Sequence, residues 1–162
     1  MRFALAVAGL ALLVSCTGAE EVSGPPAESS SSTIAPSATP SAQPVTDYVS
    51  FTQAMGAAGF KVRAGERTQS NLLFREGQTV FIDGVSVSTF EYPTERALHE
   101  ARSSVGRDGY SVPTSSDGIA DVEWVETPHF YSAGKLLVLY LGDERPTLDA
   151  LDTLLGPQFA GG

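Results

Sequence analysis

The sequence predicts an α+β fold for residues 47–162: one antiparallel sheet with three helices on one face. Two observations carry this prediction. Short apolar or alternating runs of strand length are separated by tight turns at Glu76-Gly77, Asp83-Gly84 and Gly134. Three other segments place apolar residues at helical spacing and then stop at a glycine. The segment is long enough for one compact domain and too short for two.

The first helix is expected from 47 to 58, with Thr46 or Asp47 as its N-cap, Tyr48, Phe51, Met55 and Ala58 on one face, and Gly59 as its stop. Strand signals follow at 60–62, 72–75, 80–82 and 85–92. Asp83-Gly84 is a strong hairpin signal, because a type I′ turn needs positive φ at both central residues. A second helix is expected over 94–105, with Ala97, Leu98, Ala101 and Val105 apolar and Gly106 at its end. Strands resume at 110–112, 122–125, 130–132 and 136–141. The third helix carries Pro146 in its first turn and turns Leu148, Leu151, Leu154 and Leu155 inward before Gly156-Pro157.

A shift of fifty residues brings these elements into register. Phe74 meets Trp124, Phe81 meets Tyr131, Gly84 meets Gly134, Phe90 meets Tyr140 and Leu98 meets Leu148. Identities are few, so two βββα-like pseudo-repeats and two segments that merely share turn chemistry are both open readings. The strands themselves differ. Leu136-Leu137-Val138-Leu139-Tyr140-Leu141 is apolar at every position, as for a central strand covered on both sides, whereas residues 85–92 alternate. The sheet face away from the helices is therefore expected to be partly polar and partly aromatic, and to carry function.

The chain opens with Arg2 and a short Ala/Leu/Val run ending at Cys16, its one cysteine. That is the layout of an export signal; a membrane span needs roughly twenty apolar residues. Leu13-Val14-Ser15-Cys16 resembles the lipobox of bacterial lipoprotein precursors. The resemblance implies cleavage before Cys16, a diacylglycerol on its sulfur, and a mature protein anchored by lipid to a bacterial membrane. Two or three acyl chains suffice for stable anchoring, whereas one holds only marginally. Residues 17–46 are almost wholly Ser, Thr, Pro, Ala, Gly and Glu, a composition that cannot build a core and reads as a disordered tether from the lipidated N-terminus at 16 to the domain at 47.

Sixteen acidic against nine basic residues give the domain a net charge of about −7. With no Lys/Arg cluster, that charge argues against nucleic acid or anionic headgroups as partners and leaves an envelope protein or a cell-wall component. If Cys16 carries lipid, the domain has no thiol for a disulfide, a nucleophile or a zinc site. The segments Pro128 to Tyr131, Gly134, Tyr140 to Asp143 and Leu155 to Gly161 are similar to those that close uncharacterised bacterial lipoprotein domains. This similarity implies lineage and no activity.

No Gly-rich phosphate loop, Gly-x-Ser-x-Gly elbow, His-Glu-x-x-His or calcium loop is present, so no cofactor or metal is expected. His129 is the best reactive candidate, since imidazole titrates near neutrality and Asp121, Glu123 and Glu126 lie just upstream. His99, with Glu95 and Arg102 at helical spacing, reads as part of a solvated face. Trp124 fits either a core position or an aromatic platform with Tyr131 or Tyr92. The expected function is a non-catalytic, membrane-anchored envelope lipoprotein that binds through Trp124, His129, Tyr131 and Tyr92. The alternative is a small hydrolase or metal-dependent enzyme centred on His129.

Overall fold

The computed structural model describes residues 43–68, 73, 75–115 and 118–162. The expected signal run, Cys16 and the expected tether as far as residue 42 lie outside the described residues, as do residues 72 and 74 of the strand expected at 72–75.

Helix α1 spans Tyr48–Ala57, and Asp47 is its cap. The Asp47 carboxylate accepts the Ser50 backbone N–H at 2.9 Å while the Ser50 hydroxyl accepts that of Asp47 at 3.0 Å, so two otherwise orphaned donors are satisfied reciprocally. Helix α2 spans Glu95–Ser103 behind a Thr94 cap, and α3 spans Arg145–Leu155 with Pro146 in its first turn. Proline is tolerated there because its missing N–H has no partner inside the helix.

Among the described residues eight strands form: β1 Val62–Thr68, β2 Gly77–Ile82, β3 Val85–Glu91, β4 Ser111–Ser115, β5 Gly118–Asp121, β6 Pro128–Ala133, β7 Leu136–Leu141 and β8 Ala160–Gly161. Six make one sheet in the order β1-β2-β3-β7-β6-β8, with every neighbour antiparallel, and β4–β5 is a separate hairpin. Asp83 (φ 50°) and Gly84 (φ 94°) both take left-handed backbone between β2 and β3, as the type I′ turn requires.

The class is α+β, but the helices do not share one face. Leu136, Val138 and Tyr140 of β7 pack with Phe51 and Met55 of α1 and with Leu151 and Leu155 of α3. Leu137 and Leu139, which point the other way, pack with Leu98 and Val105 beneath α2 and with Val112 of β4. An apolar stripe on a helix requires a covered face without specifying which side of the sheet supplies it. The central position of β7, between β3 and β6 with both faces buried, is why its run is apolar at every residue.

The same geometry bears on the fifty-residue register. Val87 belongs to the first core and Leu137 to the second, whereas Phe90 belongs to the second and Tyr140 to the first. The order of elements recurs, but aligned residues point to opposite faces, as an odd offset in an antiparallel pair dictates.

The domain begins before residue 47. Val45 is buried in the first core, and the Thr46 carbonyl accepts the Lys135 N–H at 2.8 Å in the β6–β7 turn. Gly134 in that turn has φ 55°, and a Cβ built on it would meet Thr46 Cα and O at 2.5 Å. No helix among the described residues is long and apolar enough to cross a membrane.

Candidate functional site

His129 sits in β6 opposite Tyr140 of β7, so its side chain lies on the α1/α3 face of the sheet. Its ring stacks on that of Tyr140 at a centroid distance of 6.1 Å, and only 8% of the side chain is exposed. The Nδ1 atom lies 2.7 Å from Gln158 Oε1. Gln158 Nε2 donates to the Gly161 carbonyl at 2.9 Å, which turns the amide oxygen toward the ring and makes Nδ1 the protonated nitrogen. Nε2 then presents a lone pair. It is buried, it has no hydrogen-bond partner among the described residues, and Asp143 Oδ1 lies 3.8 Å from it.

His129 and Asp143 line a cavity of ≈ 410 Å³ at this end of the sheet. Tyr131 forms part of its wall from β6, and Leu148, Asp149 and Asp152 contribute from one side of α3. Pro157 and Gln158 complete its lining, and Arg145 stands at the first turn of the helix. Burial, reinforced by the Asp152 carboxylate, pushes the Tyr131 hydroxyl up to about 12, so it remains protonated and serves as a donor. Tyr140 is likewise raised by burial, against the opposing backbone N–H of Glu144 that its oxygen accepts at 3.2 Å. The cavity lining holds no serine, threonine or cysteine among the described residues.

The four residues expected to form one binding face are divided between the two faces. Tyr131 is buried beside His129, whereas Tyr92 and Trp124 pack in the second core. The Tyr92 hydroxyl donates to the Leu73 carbonyl at 2.9 Å, and burial, opposed by the Arg75 guanidinium, raises it to about 12. Trp124 lies after β5 rather than in a strand. It meets Phe130 edge-on at 6.2 Å and donates from Nε1 to the Gly109 carbonyl at 2.8 Å, so it is a partly covered core residue. What stays open on that face is the β1–β3 side, where Arg63 of β1 stacks over Phe81 of β2 at 4.1 Å and Ser86 of β3 is exposed.

His99 is exposed on α2 and lies across the sheet from His129, so the two histidines cannot share an ion. Among the described residues no group of three or more His, Cys, Asp and Glu side chains could hold a metal. Asp121, Glu123 and Glu126 are exposed, and Asp121 is engaged with the Ser111 hydroxyl at 2.8 Å. The carboxylate beside His129 is instead Asp143, from the β7–α3 loop.

Sequence reasoning did not single out Asp143, Gln158, Asp149 or Asp152 for this site. Asp149 and Asp152 stand at i, i+3 beside the leucine stripe of α3, which marks a shared edge of that helix. The chain matches no protein-family model, no curated protein and no solved structure.

Proposed function

We propose that this chain is an exported bacterial lipoprotein, held to a membrane on its extracytoplasmic face by acylated Cys16. Its α+β domain acts as a non-catalytic binding module for a partner in the cell envelope. The anchor half of this reading rests on the lipobox at the end of the apolar run and on the Ser/Thr/Pro-rich segment that follows. The non-catalytic half rests on one observation: Nδ1 of His129, the residue best suited to acid–base work, is engaged by Gln158, and among the described residues the cavity it lines holds no hydroxyl or thiol of Ser, Thr or Cys for it to activate.

Two measurements test the two halves. Intact-mass analysis of the processed protein is expected to give a mature N-terminus at Cys16 carrying a diacylglycerol; an unmodified Cys16 or another N-terminus refutes the anchor. Hydrolysis of nitrophenyl ester substrates by the full chain is expected to be unchanged in His129→Ala. Turnover that disappears with His129 would instead establish the hydrolase reading.

A further inference from the structure

We infer that the cavity between β6 and α3 is a recognition site for a primary alkylammonium group, the side-chain chemistry of a lysine presented by a partner protein. The inference rests on the domain being a binding module and names the place and the chemistry of binding.

The cavity offers mainly acceptors. Asp143, Asp149 and Asp152 contribute three carboxylates against the single guanidinium of Arg145, and neither Asp149 nor Asp152 forms an ion pair among the described residues. Acidic residues alone would amount to a solvated helix edge. Here they share a cavity with a side chain that is more than nine-tenths buried and whose Nε2 has no hydrogen-bond partner among the described residues. Gln158 consumes the one donor of the neutral imidazole, so what His129 has left to offer is an unused acceptor, 3.8 Å from the Asp143 carboxylate. Leaving a buried acceptor unsatisfied is costly, and an entering donor removes that cost.

The arrangement selects among donors. The acceptors come from three elements, β6, the β7–α3 loop and α3, and line one cavity. An ammonium carries three diverging N–H bonds, whereas the donors of a guanidinium lie in one plane. Leu148 and Pro157 line the same cavity and supply apolar surface for a methylene stem. The net charge of the domain, about −7, favours approach of a basic protein segment over a polyanion.

The test follows the imidazole resonances of His129 by NMR in the full chain while three peptides are added: acetyl-Gly-Lys-Gly-amide and its arginine and norleucine counterparts. The lysine peptide is expected to shift those resonances saturably, arginine at least several-fold more weakly, and norleucine not at all. The double variant Asp149→Asn/Asp152→Asn alters two exposed side chains, and matching urea midpoints would show that its fold is intact. It is expected to bind the lysine peptide about tenfold more weakly, the scale of one lost charge-assisted contact. Equal shifts from norleucine, stronger binding of arginine, or no saturable shift would overturn the inference. Capture of partners from detergent-solubilised envelope separates the two levels. A partner retained by the double variant leaves the binding module standing and removes this site, whereas loss of both partner and peptide binding in the parent chain removes the underlying reading as well.

Discussion

Gln158 and His129, 29 residues apart in sequence, are joined by a 2.7 Å contact between amide oxygen and ring nitrogen, and the same amide holds the Gly161 carbonyl at 2.9 Å. One side chain thus fixes both the tautomer of the histidine and the path of the segment that becomes β8, which pairs with β6 at His129 and Phe130.

The first prediction follows from that bond. Gln158→Ala leaves a buried ring N–H without an acceptor, a loss of about 1–3 kcal/mol. Urea unfolding is expected to show a lower midpoint with an unchanged slope. A midpoint equal to that of the parent would mean that water satisfies His129 equally well.

Leu151 and Leu154 provide an internal comparison on α3. Leu151 is fully buried between the helix and β7, whereas Leu154 only packs against the margin of the same core. Leu151→Ala should destabilise by about 2–5 kcal/mol, and Leu154→Ala by clearly less. The reverse ranking in denaturant titrations would displace the core from this helix.

Gly134 is expected to resist substitution. An alanine there would adopt a left-handed backbone at about 1–2 kcal/mol and also press on the Thr46 backbone. Gly134→Ala should therefore lower the thermal midpoint and raise amide exchange at Lys135, whose N–H is bonded to Thr46. Unaltered protection at Lys135 would show that Val45 and Thr46 are not fastened to the domain.

Tyr92 and Tyr131 make stability depend on alkaline pH. Both are raised to about 12 from 10.0 in the fold, chiefly by burial. The unfolded chain therefore releases these protons first, so the stability they confer is complete below pH 10, falls as pH rises, and stops falling near 12. The double variant Tyr92→Phe/Tyr131→Phe should flatten that decline in urea titrations carried across the window. An equally steep decline would assign it to other groups.

The features legible in the sequence were those set by neighbouring residues. The run Leu136 to Leu141 had to be a central strand because it has no polar face, and Asp83-Gly84 had to be a turn because its backbone needs positive φ at both positions. The side of the sheet taken by α2 was not legible, since the Leu98 and Val105 stripe fits either face. Trp124 falls within the strand expected at 122–125, although its indole is held by a carbonyl 15 residues upstream and it lies after β5. His129 was visible as a candidate, but its surroundings were not. Gln158 reaches it only because β8 returns beside β6, and no local pattern announces a pairing of two residues.

The joint between β3 and β7 sets a folding order. The β2–β3 and β6–β7 hairpins close between residues three apart, Ile82 with Val85 and Ala133 with Leu136, whereas β3 meets β7 through Val87 and Tyr140, 53 residues apart. Local hairpins form in microseconds, and distant pairings wait on the entropy of closing the intervening chain. The first hairpin therefore leaves the synthetic machinery with Val87 and Phe90 still facing water, and it stays adhesive until the last third of the chain has followed. For the exported chain proposed above, that interval is when a holding chaperone would matter most.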